Sequence, residues 1–296
     1  MIRADRAKPR SRRICMSADD ELIAARAAEL ASRPGASFEV SRFLTPHEQA
    51  VFFRAAAGIS ADKLNRLFFY GGCRGAERRA AVFFPEWADI GGAPPNFPDT
   101  PLFSDGREEF FEKAAPLYGD VEVHGITSVT VTGSGYRPLS HRDYLGSVLA
   151  LGIDRGSVGD ILTEGDFSAR IFVFRRIAPL VASELDRVGS DKVTVREEIP
   201  PVGLFAERKT EEITAVAASM RLDALVGAVF PLSRADAKEL VLRGLCEVNY
   251  MTEDRPDRTV GEGDVISARG YGKFAVGKEV GVTKSGKIRV TVRKYV

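Results

Sequence analysis

Three stretches of the chain hold side chains that could do chemistry. In Ser140-His141-Arg142-Asp143 an imidazole and a carboxylate lie two positions apart, a spacing open to general acid–base work. The same stretch reads as a helix start, with Ser140 and Asp143 as a capping pair and His141 and Arg142 free to face a phosphate. His-Arg-Asp also opens a kinase catalytic loop. The metal-binding Asn of that loop would fall at Val148, and there is no Asp-Phe-Gly and no glycine-rich loop. The second stretch is Gly71-Gly72-Cys73-Arg74-Gly75. No Gly-Lys-Ser/Thr follows it, so it reads as a tight connection rather than a phosphate cradle. The third is the last quarter of the chain. It sets Arg221, Arg234, Lys238 and Arg243 on helices and Arg269, Lys273, Arg289 and Arg293 on strands. Ser233, Asn249 and Tyr271 add hydrogen-bonding or stacking groups. Such a set binds; its chemistry is charge-assisted hydrogen bonding to phosphates.

The elements that must position these cations follow from periodicity. Leu222, Leu225, Val226 and Val229 recur at helical spacing. Pro231 stops that helix, and Ser233 caps a second one with Asp236 three residues on. Ala237, Leu240 and Val241 continue the second apolar face, and Gly244 ends it. Arg234 and Lys238, four apart, are neighbours on the outer face. Beyond Asn249 the period drops to two. Ile288, Val290 and Val292 point one way, and Lys287, Arg289 and Arg293 the other. Lys284-Ser285-Gly286 reads as a hairpin turn.

This stretch resembles the S-four RNA-binding domain, the two-helix module named after ribosomal small-subunit protein four. The matching residues are Arg221, Leu222, Asp223, Leu225, Ser233, Arg234, Ala237, Leu240, Gly244, Val248 and Asn249, then Val260, Gly263-Asp264 and Ile266. The resemblance implies a grip on structured RNA, mainly through phosphates and shape. Many pseudouridine synthases carry this module, so an RNA-modifying enzyme is the alternative function. Their catalytic Asp lies in a Gly-Arg-Leu-Asp motif on a separate domain. Here the only Arg-Leu-Asp is 221–223, inside the binding module, and no catalytic set is evident.

Upstream, Ser17 with Asp20 starts a helix over 19–33 with Leu22, Ile23 and Leu30 inward, and Pro34-Gly35 ends it. Thr45-Pro46-His47-Glu48 starts another, with His47 on the surface. Leu67–Tyr70 and Ala80–Phe84 read as paired strands, and the Pro- and Gly-rich 85–106 as a loop. From 116 to 200 the order is β-α-β-β-α-β: strand 126–131, a helix after Ser140, strands 158–162 and 169–174, helix 177–188, strand 193–195. That is the ferredoxin-like order also used by RNA-recognition (RRM-like) domains. No aromatic RNP signature is evident on those strands. His124 reads as an ordinary strand histidine. Residues 201–218 are read as a connecting helix.

His141-Arg142-Asp143-Tyr144-Leu145-Gly146, Leu151-Gly152-Ile153-Asp154-Arg155 and Gly159-Asp160-Ile161-Leu162, with Gly71-Gly72 and Ala76-Glu77-Arg78, resemble the YlmH family of bacterial S-four-domain proteins. The resemblance covers most of the chain from Met16 onward. The N-terminal extension and a Pro-rich insert at 91–101 depart from it. It implies an α+β, multidomain chain: an N-terminal helical and αβ region (17–115), a central RRM-like domain (116–200) and a C-terminal S-four domain (219–296). It also implies a ribosome-associated RNA-binding protein on the large subunit near tRNA, acting in the rescue of stalled nascent chains.

Composition agrees with a soluble, multidomain globular chain: 296 residues, 44% hydrophobic and 28% charged, with net charge +1. That near-neutral total hides a division. Residues 1–13 hold six basic groups and one acid, residues 266–296 hold eight and one, and the rest is acidic. Residues 1–16 read as a disordered basic tail. Cys15, Cys73 and Cys246 lie far apart with no Cys-x-x-Cys pair, so no disulfide framework, metal site or cofactor is expected. No apolar run is long enough to span a membrane. The expected protein is a cytoplasmic monomer whose partners are rRNA or tRNA and the large ribosomal subunit.

Overall fold

The structure is a computed structural model that describes residues 17–33, 35–59, 61–91, 105–114, 123–201, 203–206 and 210–295. The tail 1–16 and residues 92–101 of the insert lie outside the described residues. The chain is α+β throughout, with three antiparallel sheets.

The first unit comprises α1 (Ala18–Ser32), β1 (Glu39–Leu44), α2 (Pro46–Ala57), α3 (Ala61–Asn65), β2 (Leu67–Tyr70), β3 (Arg79–Phe83) and α4 (Asp105–Ala114). Its sheet runs β1-β3-β2. Reciprocal capping boxes start α1 (Ser17 and Asp20) and α2 (Thr45 and Glu48), which satisfies first-turn amides that would otherwise lack partners. The inward face of α1 is Ile23, Ala27, Leu30 and Ala31, whereas Leu22 is 69% exposed. Leu22 is therefore a correction. The i, i+4, i+7, i+8 ladder that starts at Ile23 leaves its neighbour about 100° round the helix.

The second unit comprises β4 (Ile126–Gly133), α5 (His141–Ala150), β5 (Val158–Glu164), β6 (Ser168–Phe174), α6 (Ala178–Glu184), β7 (Arg187–Val188) and β8 (Asp191–Glu198). The sheet order is β5-β6-β4-β8-β7, with β4 at its centre between β6 and β8. Both helices cover one face, where Val129, Val131, Ile171 and Val173 pack against Tyr144, Val148 and Val181. The expected helix 177–188 is shorter than its apolar pattern. It ends at Glu184, and Arg187–Val188 turns through Gly189 (φ 60°) to pair with β8. His124 lies just before β4 rather than within it, against the Tyr70 and Phe111 rings. Burial, with Arg175 nearby, pushes its pKa down to about 4 and keeps it neutral. Its Nδ1 accepts the Ile126 amide at 2.9 Å.

The third unit comprises β9 (Thr210–Ala217), α7 (Leu222–Val229), α8 (Arg234–Leu242), β10 (Cys246–Val248), β11 (Met251–Thr252), β12 (Val265–Ala268), β13 (Gly272–Val282) and β14 (Ile288–Tyr295). Its sheet runs β11-β10-β12-β13-β14-β9. The expected connecting helix at 201–218 is corrected: residues 210–217 form an edge strand antiparallel to β14 over eight residues. Ala215 and Ala217 are buried and Thr214 and Val216 exposed, a period of two that local helix propensity does not override.

The three units are docked. Beyond its helices, the second sheet's other face carries Ile126, Phe172 and Phe174, and the first unit closes over them with Phe43, Phe68 and Tyr70. Phe43 and Phe174 are 4.7 Å apart between ring centroids. Gly72 (φ 95°) abuts Phe172 so closely that a Cβ there would run into the ring. The Gly71–Gly75 stretch is thus the tight connection expected, and a close approach of backbone to ring requires its glycine. The Asp160 carboxylate accepts the amides of Glu77 at 2.5 Å and Arg78 at 3.0 Å. The Arg78 guanidinium donates to the Val158, Phe43 and Arg155 carbonyls, each at 3.2 Å. Burial, then the neighbouring Arg155 charge, lowers Arg78 to about 10, so it stays charged.

Candidate nucleic-acid interface

The helix pair α7–α8 is built as its spacing implies. Leu222, Leu225, Val226 and Val229 are buried, as are Ala237 and Val241 of α8, all on one face of the C-terminal sheet. The Ser233 hydroxyl accepts the Asp236 amide at 3.1 Å and so fixes the start of α8. Gly244 (φ 66°) closes the helix: its amide donates to Val241 and that of Leu245 to Leu240. This frame leaves Arg234 and Lys238 exposed, side by side on the outer face, and among the described residues neither forms an ion pair. Arg243 is also exposed, 3.9 Å from Glu239.

The remaining predicted contacts separate. Ile288, Val290 and Val292 face the helices, so alternation turns Arg289 and Arg293 to the opposite face of the sheet. There Arg293 lies directly across from Glu212 of β9. Arg269 and Tyr271 are exposed at the turn between β12 and β13, and the Tyr271 ring is 6.0 Å from Phe230 at the end of α7. Lys294, which sequence reasoning missed, stands 5.7 Å over the Phe230 ring. Its signal was available. It shares parity with Ile288, Val290 and Val292, which places it on the helix side, where it emerges beside Phe230.

Three predicted contacts prove to be structural. Arg221 donates Nε and Nη2 to the two oxygens of Asp223, both at 3.0 Å. Burial opposes ionisation of Asp223, but hydrogen bonds from Arg221 and the charges of Arg221 and Arg234 hold its carboxyl below the usual range. This aspartate is 2% exposed, and both of its oxygens are taken by Arg221. Asn249 sits in the left-handed region (φ 51°). It donates to Asp264 at 2.8 Å and accepts the Val265 amide at 2.9 Å, so its amide is spent on a turn. Lys273 reaches the first unit, donating to Glu77 at 2.7 Å and lying 4.7 Å over the Tyr295 ring.

At α5, Ser140 and Asp143 form a reciprocal capping box, and Asp143 is lowered chiefly by the hydrogen bonds from Ser140. His141 and Arg142 are exposed in the first turn. Asp143 is occupied by the cap and by Arg137 at 3.6 Å, so His141 and Asp143 do not make an acid–base pair. Among the described residues no cluster of His, Cys, Asp and Glu fits a metal ion. Among the described residues no helix is long and apolar enough to cross a membrane.

His47 departs most from expectation, for it is a junction residue and not a surface one. Its Nδ1 lies 2.7 Å from the Tyr250 carbonyl of the third unit, and its Nε2 lies 2.9 Å from Asp20. Both partners are acceptors, an arrangement that favours the doubly protonated ring over either neutral tautomer. Burial works against that charge, but the Tyr250 carbonyl and Asp20 outweigh it, with Glu247 contributing, and the pKa is raised. A raised folded pKa gives stability that is full below the ordinary value near 6.5 and is lost as pH rises through the folded value. The melting temperature of wild type minus that of His47→Ala should therefore be largest near about pH 6 and shrink toward about pH 8.5. A gap independent of pH would show that the neutral ring suffices.

A three-unit α+β chain that exposes Arg234 and Lys238 side by side on a helix is the kind of scaffold found in RNA-binding proteins, and the comparisons agree. Residues 124–200 match the family model described as "Putative RNA-binding domain in YlmH". Ribosome-associated protein quality control protein P2 of Bacillus subtilis (strain 168) is 28% identical over 262 residues, spanning 86% of this chain and 87% of its own. By these matches the chain is similar to the YlmH family, with residues 124–200 resembling that family's RNA-binding domain. Cell division protein ylmH from Streptococcus pneumoniae, a solved structure, shares 17% identity with a TM-score of 0.41 over 62% of this chain and 93% of its own, too loose an overlap to bear on the fold.

Proposed function

We propose that this protein is a non-enzymatic, cytoplasmic RNA-binding protein that docks on the large ribosomal subunit against rRNA or tRNA as a monomer. In this reading it serves quality control of stalled nascent chains; the name of its Bacillus relative carries ribosome-associated protein quality control. The C-terminal unit acts as an S-four-type module, and the βαββαβ unit is a ferredoxin-like domain. The observation that carries the reading is the exposed Arg234–Lys238 face of α8, whose two cations form no ion pair with a described carboxylate. Arg243, Arg269, Tyr271 and Lys294 extend it, with Ser233 setting the helix start. Phosphate contacts of this kind release counterions, so affinity for purified bacterial ribosomes should fall steeply with salt, by about 0.7–0.9 log units per neutralised phosphate per log unit of salt. Co-sedimentation across a potassium chloride series tests this. Salt-independent binding, or none at low salt, would refute it. Nucleoside analysis of ribosomal RNA incubated with the protein separates a binder from a modifying enzyme.

A further inference from the structure

We infer that the uncovered half of the central sheet is a second RNA contact, one that reads the ribose–phosphate backbone and not the bases. The inference rests on the RNA-binding role proposed above. The sheet face opposite α5 and α6 has two halves. One holds Phe172 and Phe174, 0% and 4% exposed, walled off by the first unit. These are the aromatic positions on which a base could stack, and they are unavailable. The other half is open and wholly polar. Alternation along β8 places Lys192, Thr194 and Arg196 on it, because Val193 and Val195 face the helices. Registration adds Arg187 beside Lys192, Thr132 beside Thr194 and Thr130 beside Arg196. Val188 and Asp191, the other β7–β8 pair, are buried, which confirms the side on which Arg187 lies.

The chemistry selects the partner. Arg187 and Lys192 are directly opposed like charges, an arrangement that disfavours the free sheet and that an anion relieves. Among the described residues no carboxylate forms an ion pair with Arg187, Lys192 or Arg196. Glu198 on this face also feels the Arg196 charge, but its hydrogen bonds go to Arg170 at 3.1 Å and Thr130 at 2.9 Å. Hydroxyls alternate with cations at strand spacing, which suits phosphates and sugar hydroxyls, and no exposed apolar side chain interrupts them as a protein partner would need.

The test uses the full chain and purified bacterial ribosomes. Arg187→Ala, Lys192→Ala and Arg196→Ala together should reduce the salt slope of binding by about 2 to 3 and weaken affinity at least about tenfold at low salt. Circular dichroism should match wild type and melting should not fall below it, since all three side chains are exposed and the Arg187–Lys192 repulsion is removed. The pair Arg234→Glu, Lys238→Glu is measured in parallel. An unchanged slope in the triple variant, with binding lost in the pair, overturns this inference and leaves the proposed function standing. A wild type that fails to bind ribosomes overturns both. Phe172 and Phe174 as the true contact would show as crosslinks of RNA bases to β6, which also overturns it.

Discussion

Arg234→Glu combined with Lys238→Glu should lower affinity for ribosomes by about a hundredfold or more at low salt, enough to abolish co-sedimentation. Each substitution removes a phosphate contact and adds a like charge at the same spot, so the pair changes the local charge by four. The fold should survive. Both side chains are exposed, while the buried face of α8 rests on Ala237 and Val241 and its start on Ser233. Glu at position 234 lies in the first helical turn, where a negative charge suits the helix dipole. Stability should therefore shift by no more than about 0.5 kcal/mol, read by urea denaturation. The control is Arg289→Glu with Arg293→Glu, on the opposite face of the sheet, which should leave most of the affinity intact. If the helix pair is silent and the sheet pair abolishes binding, RNA approaches from the other side. If neither matters, the C-terminal unit is not the contact.

Much of the scaffold was legible because its signals are local. Four helices, α1, α2, α5 and α8, begin with a Ser or Thr whose oxygen accepts an amide three residues on, and each could be read directly. Strand β14 follows a period-two pattern that needed no partner to recognise. The failures share one cause, which is dependence on distant chain. Residues 210–217 contain Glu-Glu and two alanines, a neutral mixture for helix or strand. The deciding influence is β14, whose pairing with them is set more than seventy positions away. Leu185 and Val188 continue the apolar spacing of α6, yet Gly189 and Ser190 turn the chain back so that both are buried by a hairpin instead.

The candidate site shows the same division. That Arg234 and Lys238 share an exposed face follows from four-residue spacing. Which other cations are free does not. Lys273 is consumed by Glu77, 196 positions away, and Asn249 by Asp264. His47 meets Tyr250 across 203 positions. The Arg221–Asp223 pair was foreseeable, since Asp223 stands two residues on. The RNP question is subtler. Arg170-Ile171-Phe172-Val173-Phe174 does place two aromatics on the open side of the sheet. No local pattern says that Phe43 and Tyr70 of another unit will cover them.

Whether that cover is a fixed wall or a latch decides how the central sheet can act, and Phe43→Ala separates the two. Phe43 is 0% exposed, packs on Phe174 and lies where a Cβ on Gly159 would sit at 2.8 Å. Truncation leaves a cavity lined by rings and a glycine backbone already at close contact, so the site has little means to collapse. Loss of a fully buried Phe side chain should cost about 3–5 kcal/mol, seen as a fall in the urea midpoint at unchanged slope. Asp160 still binds the Glu77 and Arg78 amides in the variant, and Arg78 its three carbonyls, so the units should stay docked. Phe172 and Phe174 should then remain out of reach of bases, and affinity for single-stranded oligouridylate should not rise. A gain of about tenfold or more would mean that the first unit lifts away and that stacking on β6 is a real mode of binding. No gain, with the stability loss present, means that the aromatic half of the sheet is interior. That outcome leaves only the polar half of the sheet open to RNA.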